Sequence, residues 1–148
     1  MKFDKLENIE NLKQFVKDNF EVDLPIDGGW GYSLDDATEI AKNPMPTKQI
    51  EHIFATVRTN IEMYLMLAKK DRFGGINLKE INRDTKDDYE IVEYEIEAIK
   101  EDIYADLINE YKEGYGKDDF DMDAHFKKRE EATFRRVGKF YFKTLHTK

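Results

Sequence analysis

Apolar residues recur along the chain with two different periods, and the switches between them mark out its elements. Ile9, Leu12, Phe15 and Val16 fall at helical spacing with Lys and Glu between them, which predicts an amphipathic helix from Leu6 to about Asn19. Val22-Asp23-Leu24-Pro25-Ile26 follows, where proline argues against helix, and then the turn-rich Asp27-Gly28-Gly29-Trp30-Gly31-Tyr32-Ser33. Ser33 with Asp36 fits the start of a short helix, whereas Ala37 to Ile40 fits a strand, and the pattern does not choose between them. After Pro44 and Pro46 the positions Ile50, Ile53, Phe54, Val57, Ile61, Tyr64, Leu65 and Ala68 trace one face of a 3.6-residue repeat, a core helix of about five turns.

Asp71 to Gly75 stops that helix, Ile76 to Asn82 reads as a strand, and Asp84 to Asp88 reads as a turn. The strongest β signal runs from Tyr89 to Ala98: Val92, Tyr94, Ile96 and Ala98 alternate with Glu93, Glu95 and Glu97, so the apolar set and the acids take opposite faces. From Glu101 to about Glu113 the period is helical again, with Ile103, Leu107, Ile108 and Tyr111 inward and Asp102, Asp106 and Glu110 outward. A loop with Gly114 and Gly116 leads to Asp121 or Asp123, either of which can cap a last helix carrying Phe126, Phe134, Val137, Phe140, Tyr141 and Leu145. The sum is a single α+β domain over residues 1–148, with four or so helices packed on a small antiparallel sheet.

Composition supports one folded unit. Leu, Ile, Val and Phe make up a quarter of 148 residues, above the level of disordered chains, and a chain of this length buries enough surface for one core rather than two. The absence of cysteine removes disulfide frameworks, thiol nucleophiles and cysteine-based metal or iron–sulfur sites. With no apolar leader in Met1 to Glu10 and no run of about 20 apolar residues, the expectation is a cytoplasmic protein with no membrane span. The net charge of −8 is divided into blocks of −6 over residues 1–40, +3 over 41–74, −11 over 75–123 and +6 over 124–148. Such asymmetry fits a steering surface for an oppositely charged partner, or basic and acidic elements packed side by side.

Candidate chemistry is sparse. Gly28-Gly29-Trp30-Gly31 lacks the lysine and Ser/Thr of a phosphate loop and the order of a dinucleotide fingerprint, so Trp30 and Tyr32 either pin the turn to the core or offer an aromatic contact. Asp119, Asp121, Asp123 and Glu130 stand at positions 1, 3, 5 and 12 of a calcium-loop window, but Ala124 replaces the glycine of the turn and Lys127, Lys128 and Arg129 oppose a cation. Acids at a helix N-terminus explain the same residues. His52, His125 and His146 have no metal-ligand spacing, and Ser33, the only serine, lies in no nucleophile elbow. Glu51, His52 and Arg58 would serve acid–base chemistry only if they met His125 across a cleft. The basic tail with Phe134, Phe140 and Phe142 has the composition of a nucleic-acid stripe, yet the net charge opposes phosphate binding. No cofactor is called for. The acidic set Glu93, Glu95, Glu97, Asp102 and Asp106 protects an exposed sheet from aggregation or recognises a basic partner.

Leu24-Pro25-Ile26, the Gly28-Gly29-Trp30-Gly31-Tyr32-Ser33 turn, Asp36-Ala37, a Glu-containing helix, the Phe73-Gly74-Gly75-Ile76 strand entry and Phe120-Asp121 with His125, Lys128 and Arg129 together resemble a group of small, uncharacterised bacterial proteins. Members of such groups look like immunity proteins encoded beside secreted or contact-delivered toxins. The resemblance carries no catalytic residues. It implies a cytoplasmic immunity or inhibitor protein that binds a basic toxin domain, with Glu93, Glu95, Glu97, Asp102 and Asp106 as the contact face and Trp30 and Tyr32 as aromatic anchors. Two other readings stand beside it: a small metal-dependent enzyme or hydrolase using Asp119, Asp121, Asp123 and His125 with Glu51 and His52, and a homo-oligomeric scaffold.

Overall fold

The Tyr89 to Ala98 alternation builds the centre of the sheet. In the computed structural model, which describes residues 3–117 and 120–145, it lies within strand β4 (Tyr89–Lys100), with Val92, Tyr94, Ile96 and Ala98 buried as the pattern requires. On one side β4 pairs antiparallel with β3 (Phe73–Lys86), joined by a tight turn in which Asp87 takes φ 55. On the other it pairs antiparallel with β5 (Phe134–Thr144). The short strands β1 (Ile26–Gly28) and β2 (Thr38–Ile40) complete the order β1-β2-β5-β4-β3. Helices α1 (Leu12–Phe20), α2 (Thr47–Asn60), α3 (Glu101–Gly114) and α4 (Met122–Ala132) are the α-helices of the described residues. The fold is α+β, as the pattern implies. The sheet is mixed rather than purely antiparallel, because β2 runs parallel to β5 and the long path between them passes through helices and the β3–β4 hairpin.

Several expected boundaries move. The first helix begins at Leu12, not Leu6: the Asn11 side chain accepts the Gln14 N–H, and the described residues before it take no regular structure while Phe3 and Leu6 pack against the core. Of the Ala37 to Ile40 piece, Thr38–Ile40 resolves as strand, with Thr38 and Ile40 buried while Glu39 is not. The strand expected at Ile76 to Asn82 extends from Phe73 to Lys86, which shrinks the Asp84 to Asp88 turn to its tip. The long helix changes winding after Asn60, where Ile61–Leu65 forms a π-helical turn. One extra residue in that turn rotates the face, so Met63 is 0% exposed and Leu65 51% exposed, the reverse of a continuous 3.6-residue stripe. Tyr64 and Ala68 likewise leave the core, and Ile103 on α3 is exposed rather than inward.

The largest correction concerns the last expected helix. It ends at Ala132, and Phe134 to Thr144 is instead the strand that fills the sheet between β2 and β4. Phe140 and Phe142 point into the core beside Phe54 and Tyr94, each contributing about 1.5–3 kcal/mol by burial, whereas Phe126 and Val137 are exposed.

Helices α1 and α2 cover one face of the sheet, where Leu12, Val16, Ile50, Phe54 and Val57 join the main core. At one end of the other face Tyr104 of α3 lies over Gly74 and Gly75, while Ile99 and Leu107 are buried apart from that core. Among the described residues no helix is long and apolar enough to cross a membrane.

Candidate functional site

The three glutamates of β4 lie on the sheet face opposite the α2 core, and the strand register decides what surrounds them. Across β5, Glu93 faces Lys139, Glu95 faces Val137 and Glu97 faces Arg135. Across β3, Glu93 faces Asn82, Glu95 faces Lys79 and Glu97 faces Asn77. Asn82 Nδ2 donates to Glu93 at 3.0 Å, and Arg135 Nε lies 3.2 Å from Glu97. The stripe that is acidic along the chain is therefore a mixed-charge surface in space, with bases on both flanking strands. Opposite charges facing each other across the ladder favour the sheet that three like charges along one strand would not.

This face also carries apolar positions. Ile91 and Tyr141 face each other across the β4–β5 ladder, half-buried, and Val137 is 54% exposed. Asp102 and Asp106 project exposed from α3, whose Tyr104 packs at the end of the same face. Five of the seven candidate contact residues, Glu93, Glu95, Glu97, Asp102 and Asp106, thus keep access to solvent. The two aromatic ones belong elsewhere. Trp30 is 2% exposed, stacks on Phe54 and donates its indole N–H to the Glu7 carbonyl at 2.9 Å, so it pins the turn to the core. Gly31, beside it, holds φ +82, and a Cβ there would stand 2.7 Å from the Tyr141 carbonyl oxygen, which only glycine avoids.

Tyr32 belongs to a buried polar cluster between that turn, α2 and β5. Its hydroxyl donates to Glu62 and accepts the Leu6 N–H at 3.1 Å. Arg58 lies between the Tyr32 and Phe140 rings, 4.1 and 3.6 Å from their centroids. Its Nη1 donates to the Trp30 and Gly31 carbonyls at 3.2 and 3.1 Å, and its Nη2 to the Lys139 carbonyl at 3.1 Å. Glu62 lies 3.4 Å from Arg58 Nε and accepts from Arg136 at 3.1 Å. Burial lowers Arg58 to about 10 against the opposing pull of Glu62, and burial followed by the Glu62 charge pushes the Tyr32 hydroxyl up. Every charge here is spent on another part of the same chain, so the cluster clamps the Gly-Gly-Trp-Gly turn to α2 and β5.

A second cluster joins α2 to the β3–β4 hairpin. Arg83 Nη1 donates to Glu90 at 2.5 Å and Nη2 to Glu80 at 2.7 Å. Glu51 is 0% exposed with Arg83 Nη1 2.9 Å away, but neither of its oxygens accepts an aligned hydrogen bond. Burial, and next the like charge of Glu90, raise Glu51 to about 7 against the attraction of Arg83. His52 turns outward, its Nε2 3.3 Å from the Leu78 carbonyl oxygen.

A third lies between α3 and α4, where buried His125 places Nδ1 3.2 Å from Glu110, which also takes Lys128 Nζ at 2.8 Å. Tyr111, Phe120 and Phe126 surround the imidazole. A cavity of about 510 Å³ opens beside it, lined by Asp106, Glu110, Glu113, Lys117 and Phe120.

The acid–base group expected from Glu51, His52, Arg58 and His125 is thus divided among three separate clusters, each with its own partners. The calcium-loop window is divided as well: Asp121 caps α4 by accepting the Ala124 N–H at 3.0 Å, α4 begins at Met122, and Glu130 pairs with Arg135 at 2.7 Å. A segment wound as helix from its fourth residue cannot wrap a cation. Asp119 and His146 lie outside the described residues, and among those described no three acidic or imidazole groups gather as a metal-binding set. Sequence reading missed that Glu51, Arg58 and Glu62 stand seven and four residues apart, a charged stripe on the inward face of the core helix. No family model, curated protein or solved structure matches the chain.

Proposed function

We propose that this chain works by binding another protein, as a cytoplasmic immunity protein or inhibitor that neutralises a bacterial toxin domain by covering it. The single observation that carries the reading is the uncovered part of the second sheet face, where Ile91, Val137 and Tyr141 lie among Glu93, Glu95 and Lys139 with α3 and its exposed Asp102 and Asp106 at one end. A ladder of cross-paired strands holds these side chains in fixed positions, so binding orders little further chain, and an apolar centre with a charged rim is the usual anatomy of a protein contact. The acids of α3 and the unneutralised share of Glu93 and Glu95 would steer a basic partner and raise its association rate. Trp30 has no part in the contact, because it is enclosed by the core.

The test is co-expression of this chain with the toxin encoded beside it, followed by calorimetry on the two purified proteins. The expected result is restored growth and a tight complex, with the triple variant Glu93→Lys, Glu95→Lys and Asp106→Lys slowing association at least tenfold while its circular dichroism spectrum stays that of the parent. Association kinetics unchanged in that variant would overturn the assignment of the face, and a neighbouring toxin that neither binds nor is neutralised would overturn the reading as a whole.

A further inference from the structure

The outer side of β3 is the long free edge of the sheet: β3 stands last in the strand order, and no described strand pairs with it beyond β4. Exposed edges of this length invite other strands, and a bulge is one of the devices that discourages them. β3 has such a bulge in its middle. Glu80 faces Tyr94 and Asn82 faces Glu93, so Ile81 is an extra residue, and it is 49% exposed.

The bulge shifts the alternation by one. Lys79 shares a face with Glu95, and Asp84 shares that same face with Ile91, although the two are five residues apart; Glu80 and Arg83 share the other face, with Tyr94 and Val92. An ordinary strand laid on this edge would be in phase on one side of the bulge and out of phase on the other. A second copy of this chain, turned about a two-fold axis through the bulge, carries the same shift at the same place and stays in phase along its length.

The charges fit that arrangement. With the axis between Ile81 and Asn82, Lys79 of each copy stands opposite Asp84 of the other, and Glu80 opposite Arg83, so each directly facing pair of ionised residues is of opposite sign. The Arg83–Glu80 ion pair within each chain, 2.7 Å long, would close with its counterpart into a ring of alternating charge. The exposed Ile81 side chains come together at the axis. His52 limits the extent of pairing, because its ring occupies the Leu78 carbonyl oxygen.

We propose that two copies of this chain pair antiparallel through Lys79 to Asp84 of β3, joining their sheets into one. Six residues of edge bury less than the roughly 1,200 Å² of a standard stable interface. The association is therefore weak and concentration-dependent, and it leaves the mixed-charge face of the sheet open to another partner.

Sedimentation equilibrium of the purified chain over micromolar to millimolar concentrations tests it. The average mass should rise from the 17.6 kDa monomer towards twice that value. Asp84→Lys, on an exposed side chain, sets like charges opposite each other twice in the dimer and should weaken association about tenfold or more. The double swap Lys79→Asp with Asp84→Lys exchanges the signs and should restore it. Because the chain has no cysteine, a spin label on Asn82→Cys reports one position, and paired labels should lie at the short range of neighbouring strands. A monomer at every concentration, an Asp84→Lys variant that dimerises as well as the parent, or labels separated by a molecular diameter in the dimer would each overturn the proposal.

Discussion

Replacing Glu51 with glutamine probes the buried charge that has no hydrogen-bonded partner. Ionising a fully buried carboxyl that accepts no aligned hydrogen bond costs free energy which the unfolded chain avoids. The pH dependence follows from the raised value in the fold. Below about pH 4.5 both states hold the proton and there is no cost; between 4.5 and about 7 the unfolded chain ionises first and stability falls as pH rises; above about 7 the full cost is in place. The displacement from 4.5 to about 7 sets a ceiling of about 3 kcal/mol. Arg83 and Glu90, 15% and 21% exposed, bring solvent screening to the cluster and reduce this to about 1–2 kcal/mol. Glu51→Gln keeps the shape and removes the charge. It should therefore be more stable than the parent by about 1–2 kcal/mol at pH 8, with a melting temperature about 2–8 °C higher, and the gain should shrink as pH falls and vanish by about pH 4. Urea unfolding of both proteins in small pH steps from about 4 to 8 measures the difference directly, provided the slopes match. A variant less stable than the parent at pH 8, or a difference that does not change with pH, refutes the reasoning.

Other substitutions separate the clamp from the surface. Arg58→Ala leaves Glu62 buried with less compensation and frees three carbonyl oxygens, so it should cost about 3–5 kcal/mol, read as a fall in the urea midpoint. Gly31→Ala combines a left-handed backbone with a 2.7 Å approach to the Tyr141 carbonyl and should cost at least about 2 kcal/mol in the same assay. Val137→Lys, on an exposed side chain of the open face, should change stability by less than about 0.5 kcal/mol yet weaken the proposed toxin complex in calorimetry.

The alternation of β4 was legible because its inward positions from Val92 to Ala98 are all apolar, and only Glu90 and Lys100 near its two ends depart from the pattern. β5 was not, and two of its inward residues explain why. Its core-facing series is Phe134, Arg136, Gly138, Phe140 and Phe142. Arg136 reads as a surface charge until Glu62 is known to lie beneath it, and Gly138 is glycine because a Cβ there would come within 2.9 Å of Ile96 and Phe140 side-chain atoms. With those two positions silent, Phe134, Val137, Phe140 and Tyr141 mimic helical spacing. The core helix misled for a different reason: nothing in Ile61 to Leu65 signals the π turn, which satisfies tertiary packing of Glu62 and Met63 rather than a local preference. For the candidate site, the acids on one face of β4 were readable, but the bases beside them come from strands paired by a register that only the assembled sheet defines.

The order β1-β2-β5-β4-β3 also governs when the molecule can become itself. Of the described strands β5 comes last in the chain, yet it stands third in the sheet, between β2 and β4. While the ribosome is still making Phe134 to Thr144, the β3–β4 hairpin can form locally, but β4 and β2 each keep an unpaired edge, Phe54 lacks Phe142 and Tyr94 lacks Phe140. Completion then requires one strand to slot between two preformed pieces across a large sequence separation, which makes folding slow for a chain of this size. Nascent chains arrested before Phe134 should be the form most exposed to chaperones and proteases.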